Sequence, residues 1–201
     1  RLRSGKISYS DYMEDSTKPL ILEADLLVIG WGKAGKTLAR DLASSGRRVV
    51  LVERDDTMIG GTCINVACVP TKTLVNLAER RGDREPDEYL KQAIASRDAL
   101  IDRLRAANKA MLSSLETVTL VHGEARFTGP RRVRVQAGEE TLDITAGAVV
   151  INTGTSPLMP GIPGIDGKFV HDSTTIQHIA DGKVPQTLTI VGGGFIGLEF
   201  A

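Results

Sequence analysis

Cysteine is scarce: the 201-residue chain has two, Cys63 and Cys68, both inside one short stretch. Two thiols cannot staple a secreted scaffold, so a reducing, cytoplasmic setting is the expectation. Charge of one sign is absent too, with 25 Lys plus Arg against 25 Asp plus Glu. Nothing in that balance favours nucleic acid or an acidic lipid surface, which leaves small molecules as the expected partners. Aromatic residues make up only 4%, and the longest apolar runs, such as Leu26 to Ile29 and Ala148 to Ile151, are far shorter than a bilayer requires. A membrane protein is therefore not expected. The first residues, Arg1 to Glu23, lack the apolar core of a secretory signal and the acid-poor pattern of a transit peptide, and read as a flexible leader. A start at Arg1 rather than Met, and an end inside what reads as an opening helix, suggest a chain cut on both sides.

What is present begins with a glycine turn. Leu26 to Ile29 is a short apolar run that breaks into Gly30-Trp31-Gly32-Lys33-Ala34-Gly35, and then into a helical pattern with Leu38, Ala39, Leu42 and Ala43 on one face. Gly46 is placed to close that helix, and Val49 to Val52 follows as a buried-type strand ending in Glu53. The unit is βαβ with a parallel pair. From Asp87 to Leu115, apolar residues at helical spacing predict a long amphipathic helix. Three β-rich pieces, Thr117 to Val121, Arg132 to Gln136 and Thr141 to Thr145, predict a small antiparallel meander, and Ala148 to Ile151 a further buried strand. Ser156 to Gly167, rich in Pro and Gly, reads as a crossing loop, after which Leu188 to Val191 is expected to open a second strand-and-glycine unit.

Gly30, Gly32 and Gly35 satisfy GxGxxG between a strand and a helix. That spacing supplies a tight turn, a backbone bare enough to approach a pyrophosphate, and close helix–strand packing. The helix start, Lys33 and Ala34, then presents unpaired N–H groups and a positive dipole end to the phosphates. Glu53 lies 23 residues beyond Gly30, about where an acid is wanted for the ribose hydroxyls. The same string also satisfies GxxxxGK[ST] through Gly30, Gly35, Lys36 and Thr37, so a P-loop nucleotide hydrolase is a competitor. Such a protein also wants an aspartate at a nearby strand end for magnesium, whereas the strands here end in Glu53 and Asn152. The dinucleotide reading accounts for Gly32 and Glu53; the P-loop reading leaves both as accidents. The plain alternative for Lys36 is a solvated lysine.

The most informative stretch is Gly60-Gly61-Thr62-Cys63-Ile64-Asn65-Val66-Ala67-Cys68-Val69-Pro70-Thr71-Lys72. Residues five apart on a regular helix have Cα atoms separated by roughly 8 to 9 Å. A disulfide needs about 4.4 to 6.8 Å, so if the two cysteines bond, the helix must be bent between them. A thiol near a helix N-terminus gains thiolate character, and thiolate is the attacking species in exchange. A zinc site is the alternative, but His122, His171 and His178 are distant in sequence and two thiols alone make a poor one.

GGTCINVACVPTK resembles the GGTCxNxGCxPxK signature of the class I pyridine nucleotide-disulfide oxidoreductases, the family of glutathione reductase, dihydrolipoamide dehydrogenase and mercuric reductase. The resemblance runs from about Asp25 to Ala201, and its look is closest to the branch of the bacterial reactive-chlorine-resistance flavoprotein. It implies an α/β fold: a Rossmann-like FAD-binding domain with a small antiparallel meander, followed by the start of a Rossmann-like NAD(P)-binding domain. It implies a relay from NAD(P)H through FAD to a Cys63–Cys68 disulfide, and on to a disulfide, a thiol-reactive oxidant or a soft metal ion. Cys68 would face the flavin and Cys63 the substrate, with Lys72 near the flavin and paired with Glu199. Thr62, after Gly61, would approach the FAD phosphates; Gly123-Glu124-Ala125 would offer backbone groups to adenine; Thr153 and Gly154 would line the same site. Gly192, Gly194 and Gly197 resemble the family's NAD(P)-binding entry.

The expected division is a leader at 1–23, an FAD-binding domain with the dithiol at 24–156, a linker at 157–186 and the start of the NAD(P) domain at 187–201. One departure from the signature is Ala67, where the family usually has glycine. The family's C-terminal dimerisation domain, with its acid-base pair, has no counterpart here, so the resemblance implies a homodimer for the complete protein and no turnover by this chain alone. The rival from another class is a non-catalytic dinucleotide-binding fragment with idle thiols.

Overall fold

A computed structural model describes residues 19–178 and 183–201, which fall into two compact units. The first takes the described residues up to Ile59 together with Asn108–Thr153; the second takes Gly60–Ala107 with Gly154–Ala201. Residues 1–18 of the expected leader and 179–182 of the expected linker lie outside the described residues.

The first unit is built on a six-stranded sheet: β1 (Leu20–Ile29), β2 (Val49–Glu53), β3 (Val118–His122), β4 (Glu124–Gly129), β5 (Arg132–Ala137) and β6 (Glu140–Ile151). Its order is β3-β2-β1-β6-β5-β4. The first four of these strands run parallel and β6-β5-β4 run antiparallel. Side chains alternate across the sheet, so one run of residues feeds two layers. Leu27, Val50, Val52 and Val121 face Val133, Val135, Leu142 and Ile144 on one side. On the other, Leu26, Val28, Val49 and Leu51 pack with Trp31, Ala39, Ala43, Ile59 and Leu112. Each such aliphatic side chain, fully buried, contributes about 1.5–3 kcal/mol.

Helix α1 (Lys33–Ser44) lays Gly35, Ala39 and Ala43 on the sheet. It ends as expected at Gly46, whose φ is +84°. The Gly46 N–H donates to Ala43 O at 2.9 Å and the Arg47 N–H to Leu42 O at 3.1 Å, the paired bonds of a Schellman cap.

The second unit holds α2 (Thr62–Asn65), α3 (Cys68–Glu79), most of α4 (Pro86–Ser113) and α5 (Phe195–Phe200). Pro86 opens α4 where its missing N–H has no helical partner to lose, and Asp87 and Glu88 face the dipole's positive end.

Several expectations about strands are corrected. Thr117 to Val121 belongs to no meander: β3 pairs parallel with β2, Val49 with Val118 through Glu53 with His122. Thr141 to Thr145 and Ala148 to Ile151 are one strand, β6, paired with β5 on one edge and β1 on the other. The meander's third strand is β4, whose exposed face carries no clear alternation. Glu23 and Asp25 interrupt the apolar pattern, yet β1 starts at Leu20 because Leu20 to Ala24 pair with Leu142 to Ala146. Leu188 to Val191 forms no strand among the described residues, and Leu188 and Val191 are exposed. A strand exists by pairing, and no described strand pairs with it.

Candidate active site

In the first unit the carboxyl ends of the parallel strands carry the dinucleotide residues. Gly30 has φ +96°, and a Cβ there would stand 2.4 Å from the Asn152 carbonyl oxygen, so the turn admits only glycine. The Gly30 N–H donates to Val52 O at 2.8 Å, tying the turn to β2. Gly35 packs its bare face against Val28 Cγ1 and the Asn152 amide. Gly32 is the N-cap of α1 and offers no side-chain acceptor, and Lys33 and Ala34 are exposed. The first N–H groups of that helix are therefore left for an anion.

Glu53 is half-buried at the end of β2 and turns back onto the loop. Its Oε2 accepts from the Trp31 N–H at 2.9 Å, and its Oε1 from the Arg54 and Asp55 N–H groups at 2.9 and 3.2 Å. A carboxylate has about four acceptor positions, so capacity is left for a ribose hydroxyl. Beside it, the Gly123 N–H donates to Glu53 O at 2.9 Å, which places Gly123 and half-buried Ala125 at the same strand ends. His122 Nδ1 lies 3.0 Å from Asp56 Oδ1 on the surface there. Lys36 donates to Asn108 Oδ1, a structural contact of α1 with α4. The Trp31 indole Nε1 is buried and has no partner within the described protein.

Sequence reasoning used Asn152 only as a strand end. Its amide donates to Gly32 O at 2.9 Å and to Gly30 O at 3.2 Å, bracing the glycine loop across 120 residues of chain. No local pattern announces such a contact.

In the second unit the two cysteines sit on different helices. Half-buried Cys63 lies in α2, and exposed Cys68 is the first residue of α3. The helix is broken between them at Val66 and Ala67, and no disulfide joins the two cysteines in this structure. Ala67 has φ −132°, a sign any L residue adopts, so its methyl meets no left-handed penalty where the family has glycine. Gly60 and Gly61, at φ +93° and +80°, lead into α2. Thr62 opens that helix, and its Oγ1 lies 2.9 Å from where a Cβ on Gly154 would be, so Thr62 and Gly154 are neighbours. Thr153, the last residue of the first unit, is exposed.

Buried Asn65 anchors α2: its Nδ2 donates to Gly61 O at 2.9 Å, while its Oδ1 accepts from Arg105 Nε and Nη2 at 3.2 and 3.0 Å. Asn65 was visible inside the motif; Arg105, on α4, had no signal. Lys72 Nζ donates to Glu199 Oε1, joining α3 to α5 across 127 residues. Gly192 has φ +109°, Gly194 is the N-cap of α5, and a Cβ on Gly197 would stand 2.9 Å from Gly192 O.

A bare glycine turn, an open helix N-terminus and an acid on the next strand suit an adenine dinucleotide, and a broken helix between two thiols suits disulfide exchange. Consistent with both, the pyridine nucleotide-disulphide oxidoreductase family matches residues 24–201, and the chain belongs to that family. Membership implies FAD and NAD(P)H as cofactors and sets aside the P-loop alternative. Among relatives, the chain is 40% identical over 176 residues to the probable pyridine nucleotide-disulfide oxidoreductase RclA of Escherichia coli, covering 87% of this chain and 38% of that protein. It is 35% identical to a mercuric reductase of Streptomyces lividans, over 88% of this chain and 39% of the relative. The solved Cu(II) complex of the HOCl-induced flavoprotein disulfide reductase RclA superposes with a TM-score of 0.80 at 39% identity, over 89% of this chain and 39% of that one. The chain thus spans well under half the length of these relatives. Among the described residues no helix is long and apolar enough to cross a membrane.

Proposed function

We propose that the complete protein is an FAD-dependent NAD(P)H:disulfide-type oxidoreductase, acting as a cytoplasmic homodimer on a small-molecule acceptor. The observation that carries this reading is the helix break at Val66 and Ala67, which separates Cys63 from Cys68 and makes Cys68 the first residue of an uncapped twelve-residue helix.

FAD, when bound, supplies the two-electron exchange between NAD(P)H and the Cys63–Cys68 disulfide. Gly30, Gly32, Lys33, Ala34, Gly35, Thr62, Thr153 and Gly154 would hold its phosphates and flank it, Glu53 its ribose and Ala125 its adenine. Gly192, Gly194 and Gly197 would meet NAD(P)H. The chain's own chemistry is exchange. With two electrons and two protons taken up, the S–S bond opens to two thiols; the Cys63 thiolate attacks an acceptor disulfide and expels one thiolate; Cys68 then displaces the second, restoring the S–S bond. Lys72, on the helix that Cys68 opens and held by Glu199, would lie near the flavin. The relatives' names, a mercuric reductase and a copper-bound RclA, support a soft metal ion as an alternative acceptor to a disulfide or a thiol-reactive oxidant. On this reading residues 1–201 alone carry the dithiol without a complete catalytic cycle.

The test is anaerobic addition of NADH or NADPH to the complete protein, with alkylation and mass analysis of the peptide carrying both cysteines. Two new thiols at Cys63 and Cys68, appearing only when flavin is present, are expected. A protein that stays colourless when FAD is supplied, or a peptide unchanged by either nucleotide, overturns the proposal and favours a non-catalytic dinucleotide-binding role.

A further inference from the structure

The break between Cys63 and Cys68 leaves a polar group without its helical partner. In a continuous helix the Val66 carbonyl accepts from the N–H of residue 70, but residue 70 is proline and has none. The next amide is already used, since Thr71 N–H donates to Ala67 O at 3.1 Å. A partly buried carbonyl left this way needs a donor from outside the turn.

Such a donor comes from a residue more than a hundred positions away. Gln177, 4% exposed, places its Nε2 3.1 Å from Val66 O. The same amide nitrogen lies 3.4 Å from Thr71 Oγ1, in the first turn of α3, and 2.8 Å from Ser173 O. Gln177 is gripped at its other end as well: its backbone carbonyl accepts from Arg97 Nη1, a guanidinium on α4 that is itself fully buried. Arg97 is turned into place by Asp98, whose Oδ1 accepts from its Nε and Nη2 at 2.9 and 2.7 Å. The short helical turn Thr175–His178 that carries Gln177 is fastened by Asp172, which accepts from the Thr174 and Thr175 N–H groups at 2.8 and 2.7 Å.

We propose that Gln177 is a positioning residue for the dithiol, its side-chain amide supplying the hydrogen bond that holds the Cys63–Cys68 turn in its bent form. The proposal rests on the reading of these cysteines as a redox pair. A bent turn fixed in advance raises the effective concentration of one thiol at the other, so that less order is lost when the bond closes. Releasing Val66 O lets the turn relax and makes closure less favourable. Nothing in the spacing of the sequence connects position 177 with position 66.

The experiment measures closure directly. The complete flavin-loaded protein is equilibrated anaerobically in glutathione buffers of stepped composition, where the reaction is protein dithiol plus oxidised glutathione giving protein disulfide plus two reduced glutathiones. Acid quenching, alkylation and mass analysis then give the closed fraction. Gln177→Met keeps the shape and removes the donor; Gln177→Asn keeps an amide one methylene short of Val66. With circular dichroism and flavin content matching wild type, each variant is expected to lower the closure constant about tenfold, a shift of roughly 30 mV toward a more oxidising couple. If Gln177→Met does not fold, Gln177→Asn decides. A wild-type protein that closes and a folded variant that closes equally well overturn the role of Gln177 alone. A wild-type protein that never closes overturns the redox reading itself, and this proposal with it.

Discussion

Replacing Gly30 and Gly32 one at a time by alanine separates two kinds of glycine within one motif. At Gly30 the backbone has φ +96°, and the added Cβ would stand 2.4 Å from Asn152 O and 2.8 Å from Asn152 C, both main-chain atoms. The left-handed conformation costs an alanine about 1–2 kcal/mol. Forcing β1 and β6 apart at their ends adds a comparable overpacking cost, so Gly30→Ala is expected to lose about 3 kcal/mol. Gly32 has φ −63°, an ordinary value, and its Cβ would meet only the Asn152 side chain, the nearest atom being Nδ2 at 2.7 Å. That side chain can rotate away, giving up its bonds to Gly30 O and Gly32 O, for about 1–1.5 kcal/mol. Urea unfolding of the complete protein, followed by circular dichroism at constant flavin, resolves the two, since 3 kcal/mol moves the midpoint by about 1 M or more. The decisive arm is an Asn152→Ala background, in which the Gly32→Ala penalty should disappear and the Gly30→Ala penalty persist. Equal penalties in wild type, or a Gly30→Ala penalty that vanishes with the Asn152 side chain, would refute this account of the turn.

Two further outcomes follow from local geometry. Arg131, between β4 and β5, is the one non-glycine residue with positive φ among the described residues, at 58°; Arg131→Gly should raise stability by about 0.5–1 kcal/mol in the same urea assay, and a loss would show that its 3.4 Å contact with Gly147 O outweighs the strain. Burial pulls the Asp172 carboxyl up, but the N–H groups of Thr175 and Thr174 and the Thr175 hydroxyl outweigh it and hold it below the usual carboxylate value. A depressed folded value contributes stability that is complete above the unfolded value near pH ~3.9 and is lost as pH falls through the folded one. The advantage of wild type over Asp172→Ala, about 1 kcal/mol at pH 7, should therefore shrink in melts carried below pH ~3; a difference independent of pH would refute it.

The sequence by itself determined what rests on neighbours along the chain. The glycine turn, the α1 helix with its Gly46 cap and Glu53 at the end of the next strand are all legible, because each is set by a few adjacent residues and a fixed period. A break between Cys63 and Cys68 follows from the sequence only if the two bond; the structure places the break at Val66 and Ala67 with no disulfide between the cysteines. Beyond the parallel pair of β1 and β2, which the βαβ pattern already implies, only the tertiary structure decided which strands pair. An alternating or apolar pattern looks the same whether its partner is parallel or antiparallel, so β3 could be read into the meander while it pairs with β2, and the single strand β6 could be read as two. The long-range hydrogen bonds were decided there as well. Asn152 on Gly30 and Gly32, Arg105 on Asn65, and Gln177 on Val66 each satisfy a polar group that the local chain leaves open, and no spacing rule reaches across the 120, 40 and 111 residues that separate them.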